Sequence, residues 1–188
     1  MWQAIRRPEE GILHRLHEEK TLFSQGKAVF VYQGEIRQSM YRFKYSNKRE
    51  YADFYAKEAV RIYGDWIRRK QIEAIVPFPC TFEGKGRGYN QAAVFARTLG
   101  EKMNLPVEKR MVKRIRNTTP QKELNDVERK INLKKAFQLV PNIVKYRKIL
   151  IVDDIYTTGS TIDAVAEVLL QAGVDEIYFL CISIGEGF

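Results

Sequence analysis

The sequence predicts an α/β domain with a mainly parallel sheet flanked by helices, and three neighbouring observations carry that prediction. Ile149 to Val152 form a four-residue apolar run, the pattern of a strand buried on both faces. Ile162, Val165, Ala166, Leu169 and Leu170 recur at helical spacing just beyond it. Between the two lie an acidic pair, Asp153 and Asp154, and small residues around one glycine: Thr157, Thr158, Gly159, Ser160 and Thr161. Strand, acids, hydroxyl-rich turn and helix start describe a pocket at the carboxyl edge of a parallel sheet. Such a turn aims backbone N–H groups, hydroxyls and the positive end of a helix at one point, which suits a phosphate.

The remaining elements follow in chain order. Leu13, Leu16, Lys20 and Phe23 hint at a helix carrying His14 and His17, an H-x-x-H pair that lacks a third metal ligand; its expected role is a solvated face. Residues 1–27 are accordingly expected to be an N-terminal extension and 28–188 the folded domain. Residues 28–33 read as a strand ended by Gly34, and Ile36, Met40 and Phe43 mark a helix. A longer helix follows with Tyr51, Tyr55, Ala59, Ile62 and Trp66 along one stripe, an arrangement that favours core packing over base stacking. Lys44, Lys48 and Arg49 between the helices are placed to touch a ligand, but surface charge is the favoured reading. Residues 73–79 form a short strand closed by two prolines. A glycine-rich loop, Gly84 to Gly88, then opens onto a helix with Ala92, Phe95, Ala96, Leu99 and Met103 inward. Its G-x-G-x-G spacing puts Tyr89 where a dinucleotide fingerprint needs glycine, so Lys85, Arg87 and Gly88 read instead as an anion-binding loop. Residues 107–116 alternate Val107, Met111, Val112 and Ile115 with basic residues, predicting a strand with one exposed basic side on which Lys113, Arg114 and Arg116 are candidate nucleic-acid contacts.

Composition bounds the class. A chain of 188 residues with 45% hydrophobic and 12% aromatic content suits one globular domain. It has no apolar run long enough for a membrane span and no signal-peptide core behind MWQAIRR, so the cytosol is the expected compartment. Cys80 and Cys181, in strand-like surroundings, are expected to be buried free thiols. The net charge of +9 is uneven: residues 102–148 hold fourteen Lys and Arg against four acids, whereas 149–188 hold seven acids and no Lys or Arg. Polyphosphate and nucleic acid both answer such a basic segment.

The stretch KILIVDDIYTTGST resembles the phosphoribosyl-pyrophosphate (PRPP) binding motif of type I phosphoribosyltransferases. A Walker B strand also ends in acids, but no G-x-x-x-x-G-K-[ST] occurs in the chain. A receiver-domain acidic pair belongs near the start of its domain, and a merely structural turn explains a helix cap but not two acids and three threonines. The resemblance implies the type I phosphoribosyltransferase fold, with a small hood or flexible loop over Asn117 to Phe137. It implies that Asp153 and Asp154 hold the ribose hydroxyls, that Thr157 to Thr161 take the 5′-phosphate, and that Lys85, Arg87 and Gly88 take the pyrophosphate. Mg²⁺ would come through PRPP rather than in a protein cage.

A narrower resemblance rests on Pro77 and Pro79, RGYNQ (Arg87 to Gln91), Arg114, Arg116, Thr118 and Gln121, then Arg129, Asn132, Phe137 and DDIYTTGST. Together, over residues 28–183, these resemble the ComF family of natural competence. That family implies uptake of single-stranded DNA with a helicase-like partner. Its members commonly begin with a four-cysteine zinc module, whereas no cysteine precedes Cys80 here, implying a lost module or a shortened product. Two functions are expected from the resemblance: a PRPP-binding protein of DNA uptake, or a transferase moving phosphoribose onto a base or amine in nucleotide salvage. No general base or base-recognition segment stands out for the second.

Overall fold

The run Ile149–Val152 is wholly buried at the centre of the sheet. The protein is described by a computed structural model covering residues 21–80, 88–115, 136–140, 146–157 and 159–185, without the Ser160 side chain. The elements are β1 (Gln25–Val31), α1 (Gly34–Tyr45), α2 (Tyr51–Arg69), β2 (Ala74–Pro77), α3 (Gln91–Met103), β3 (Val112–Arg114), β4 (Phe137–Leu139), β5 (Lys148–Tyr156), α4 (Ser160–Gln171) and β6 (Glu176–Ile184). The main sheet has the order β1-β6-β5-β2 and every pairing in it is parallel, as the apolar runs predict. β3 and β4 form a separate antiparallel pair.

Strand alternation divides the core in two. Ile149 and Ile151 face α4 and the β3–β4 pair, while Leu150 and Val152 face α1, α2 and α3. Ile36, Met40 and Phe43 of α1 are buried as their spacing predicts, as are Ala92, Phe95, Ala96 and Leu99 of α3. On α2 the buried stripe is rotated slightly from the expected one: Tyr55, Ala59 and Trp66 are inside, Ala52, Tyr63 and Ile67 join them, and Tyr51 and Ile62 are half-buried. Tyr63 and Trp66 turn inward because each finds a polar partner, the Ala28 carbonyl at 2.8 Å and Gln25 Oε1 at 3.0 Å.

Three expectations change. The first strand starts at Gln25 rather than Ala28, because Gln25 to Ala28 pair with Tyr178 to Cys181; Phe23 also packs on Phe179. The predicted strand 107–116 is broken. Its start touches the sheet edge, where Ile75 N–H donates to Pro106 O and Glu108 N–H to Ile75 O, and after a turn Val112–Arg114 leaves to pair with β4. Ile115, expected inside, is therefore exposed. Cys181 is buried, but Cys80 is exposed, since β2 ends at Pro77 and the chain has left the sheet by residue 80. The helix carrying His14 and His17 lies outside the described residues, as does the span 116–135 that would form most of the hood.

Gly100 lets α3 touch the edge segment. A Cβ there would lie 2.5 Å from Val107 Cγ2 and 2.8 Å from the Leu105 carbonyl. Gly100→Ala is expected to destabilise the domain by about 1–3 kcal/mol through overpacking, read as a lower urea midpoint at unchanged slope. No helix among the described residues is long and apolar enough to cross a membrane.

Candidate functional site

β2 and β5 are neighbours, yet β2 runs on to α3 in one helix layer and β5 to α4 in the other. Strands that diverge to opposite layers leave a crevice at their carboxyl ends, the usual ligand position in an open α/β sheet. β2 pairs with β5 only as far as Pro77 opposite Val152, with one further bond from Phe78 N–H to the Val152 carbonyl at 2.8 Å. The acids do not end the strand, as the sequence suggested: β5 continues to Tyr156 against β6 alone. Asp153 and Asp154 thus lie where one flank of β5 has lost its partner.

The two carboxylates differ. Asp153 sits opposite Cys181, and its Oδ1 accepts from Asp154 N–H at 2.7 Å. Burial, and next the charge of Asp154, push the Asp153 carboxyl well above its ordinary range. Burial and then Asp153 likewise push the Cys181 thiol up. Asp154 has a counter-ion: Lys44 Nζ of α1 lies 3.0 Å from its Oδ2, and the two side chains are 14% and 15% exposed.

Of the two readings open to Lys44, ligand contact and surface charge, the sequence favours the second, yet the side chain is withdrawn from the surface and paired with Asp154. The signal was its place at i+4 from Met40 beside Phe43, where a cation on a buried stripe needs an opposite charge. The RGYNQ segment fixes it. Tyr89 donates to the Phe43 carbonyl and packs edge-on against the Phe43 ring, and Gln91 Nε2 donates to the Lys44 carbonyl at 3.3 Å. Asn90 caps α3 by accepting from Ala93 N–H at 3.2 Å and donates to the Phe78 carbonyl at 3.0 Å. The motif clamps α1, the end of β2 and the start of α3 around the crevice. Arg49, also read as surface charge, lies 4.6 Å over the Tyr89 ring, and Lys48 pairs with exposed Glu50.

On the β5 side, Gly159 stands at the head of α4 with φ of 73°, and its carbonyl accepts from Ile162 and Asp163 N–H. A side chain there would overlap the Tyr156 hydroxyl. Glycine thus brings the turn close under a helix N-terminus whose first N–H groups lack intrahelical acceptors. Thr157 is exposed and Thr161 half-buried beside it. Thr158 and the Ser160 side chain lie outside the described atoms. So do Lys85 and Arg87; Gly88, with φ of 65°, is where that loop re-enters them.

The structure separates the basic candidates. Lys113 is exposed, whereas Arg114, next along β3, is half-buried with its guanidinium 5.7 Å from the Phe137 ring, and burial lowers its pKa. Successive residues of a strand face opposite ways, so the single basic face expected there does not form at these two positions. Arg116 lies outside the described residues. No group of three or more His, Cys, Asp or Glu among the described residues converges to hold a metal.

The carboxyl end of β5 thus carries two acids, one of them paired with Lys44, and leads through a glycine turn into α4. The chain belongs to the phosphoribosyl transferase domain family, which it matches over residues 89–183. Its curated relatives place it with the ComF-type members. It is 40% identical over 111 residues to "Competence protein F" of Haemophilus influenzae, covering 57% of this chain and 48% of that protein. It is 37% identical over 97 residues to "DNA utilization protein YhgH" of Escherichia coli K12, covering 51% and 42%. It is 25% identical over 156 residues to "Competence protein ComFC" of Bacillus subtilis, covering 82% and 62%. The first two alignments thus span under half the length of those relatives.

Proposed function

We propose that this chain binds PRPP, or a closely related ribose phosphate, in the crevice between β2 and β5 and serves the handling of single-stranded DNA during competence. The observation that supports the ligand most is the placement of Asp153 and Asp154 on the stretch of β5 that β6 alone flanks, one turn before Gly159 and α4. The carboxylates accept the two ribose hydroxyls, and the 5′-phosphate lies against the 157–161 turn. Lys85, Arg87 and Gly88 receive the pyrophosphate. Mg²⁺ would come with PRPP and neutralise its pyrophosphate; the carboxylate oxygens of Asp153 and Asp154 are the hard donors such a cation accepts while keeping its waters. The DNA part of the reading follows the names of the relatives and the basic segment 102–148. A helicase-like partner and a cytosolic setting belong to the same proposal.

Thermal melts test the ligand. PRPP with Mg²⁺ at a hundredfold excess over Kd is expected to stabilise the fold by about 2.7 kcal/mol, with a smaller shift for ribose 5-phosphate; no shift with either refutes the assignment. Affinity for single-stranded DNA is expected to fall steeply with salt, by a logarithmic slope of about −0.7 per phosphate neutralised, and to drop when Lys113 and Arg116 are replaced by Gln, whereas half-buried Arg114 contributes less. A flat salt response contradicts the DNA role.

The family's name favours a second reading, transfer itself. In that reaction the bond from ribose C1 to pyrophosphate breaks, a nitrogen of the acceptor bonds to C1, and pyrophosphate leaves. The acids would stabilise positive charge on the ribose. Pyrophosphate release with any purine, pyrimidine or amine acceptor supports transfer; silence with all of them favours binding alone.

A further inference from the structure

We infer that Lys44 is a ligand-exchanging side chain of this site. It neutralises Asp154 while the crevice is empty, and it moves to the pyrophosphate of PRPP when the ribose hydroxyls take that carboxylate. The inference rests on the ribose-phosphate reading and deepens it by naming a contact from α1.

Position is the first ground. Lys44 Nζ lies 3.0 Å from Asp154 Oδ2, and both side chains are withdrawn from water at 14% and 15% exposure. A cation so placed occupies one of the oxygens that a ribose diol would use, so the diol and Lys44 compete for it.

The second ground is how Lys44 is tethered. Its own carbonyl accepts from Gln91, and the preceding carbonyl, of Phe43, accepts from Tyr89. Both donors stand at the head of α3. Lys44 is therefore held by its backbone while its ammonium reaches the acid, and in PRPP the pyrophosphate leaves from the ribose carbon next to the hydroxyls that would take that acid. Only the four-carbon stem needs to swing, and a compact ammonium with three donors exchanges one oxyanion for another without strict geometry. A pyrophosphate carries more charge than Asp154, which sets the direction of the exchange.

The third ground is the neighbouring cations. Arg49 stacks on Tyr89 and Lys48 pairs with Glu50, so Lys44 is the member of this basic stretch aimed at the acids.

Titration of wild type, Lys44→Met and Lys44→Arg with PRPP·Mg²⁺ and with ribose 5-phosphate tests the inference, with melts confirming that each variant folds. Lys44→Met is expected to weaken PRPP relative to ribose 5-phosphate by roughly tenfold or more, the scale of a lost charge-assisted hydrogen bond. Ribose 5-phosphate, which has no pyrophosphate, is expected to bind that variant as well as wild type or better, because its hydroxyls no longer compete. Lys44→Arg is expected to recover PRPP binding. An unchanged ratio of the two affinities in Lys44→Met overturns the inference alone, and an equal loss for both sugars would mark Lys44 as a structural support. Wild type that binds neither sugar overturns the ribose-phosphate reading and this inference with it.

Discussion

Asp153→Asn together with Asp154→Asn is expected to abolish PRPP binding while leaving the protein folded. Each carboxylate that accepts a ribose hydroxyl makes a hydrogen bond worth about 1.5–3 kcal/mol because the acceptor is charged. Losing both weakens binding by about 3–6 kcal/mol, on the order of a hundredfold to ten-thousandfold. The single variants separate the acids. Asp154→Asn strands Lys44 without its carboxylate and is expected to lower stability as well as affinity. Asp153→Asn is expected to lower affinity and raise stability at neutral pH, because Asn Oδ1 can still accept from Asp154 N–H while no buried charge opposes folding.

The sign of the pH dependence follows from the raised Asp153 value. Between the ordinary 3.8 and the raised folded value, the native protein holds a proton that the unfolded chain has released. Native stability contributed by that proton is present below the unfolded value and is lost as pH rises through the folded one. The stability advantage of Asp153→Asn over wild type should therefore be absent in acid and grow as pH rises, in melts followed across that range. A constant advantage at all pH values contradicts this account of Asp153. An acid that weakens the fold in which it sits is what a binding site would retain for its ligand.

Gly159→Ala is expected to have the second largest effect. The φ of 73° at this position costs an L-residue about 1–2 kcal/mol, and the added Cβ meets the Tyr156 ring and hydroxyl. The turn must rise away from β5 and so from the acids, which on the proposed reading separates the groups offered to the 5′-phosphate from those offered to the ribose. PRPP affinity is expected to fall by roughly tenfold or more, about 1.4 kcal/mol or above, with a lower Tm. Adding Tyr156→Phe removes the hydroxyl nearest the new methyl and is expected to recover part of both losses. No recovery would place the defect in the backbone strain alone.

Much of the fold was legible because buried elements write their period into the sequence. The run at 149–152, the stripe Ile36, Met40 and Phe43, and the stripe of α4 each face the core as their spacing requires. The strand at 107–116 misled because its alternation arises from two separate pieces, one at the sheet edge and one in the β3–β4 pair, and local pattern does not record the turn between them. Cys80 misled for a related reason, since nothing near it states that the sheet has already ended at Pro77. At the site, the acids and Gly159 were readable because one short segment carries them. The pairing of Lys44 with Asp154 was not, as the two are more than a hundred residues apart in the chain, and only the packing of α1 against β5 joins them. The role of Tyr89, Asn90 and Gln91 also emerges from folding: they are the clamp that holds α1 at the crevice, beside whatever the preceding loop contributes to ligand binding.

Isothermal titration of the wild-type protein with PRPP, with and without Mg²⁺, tests the central claim most directly. One ligand per chain, bound more tightly with Mg²⁺ and lost in the Asp153→Asn/Asp154→Asn variant, is the expected result. Absence of binding, or binding that the double variant retains, would contradict the placement of a ribose phosphate between β2 and β5.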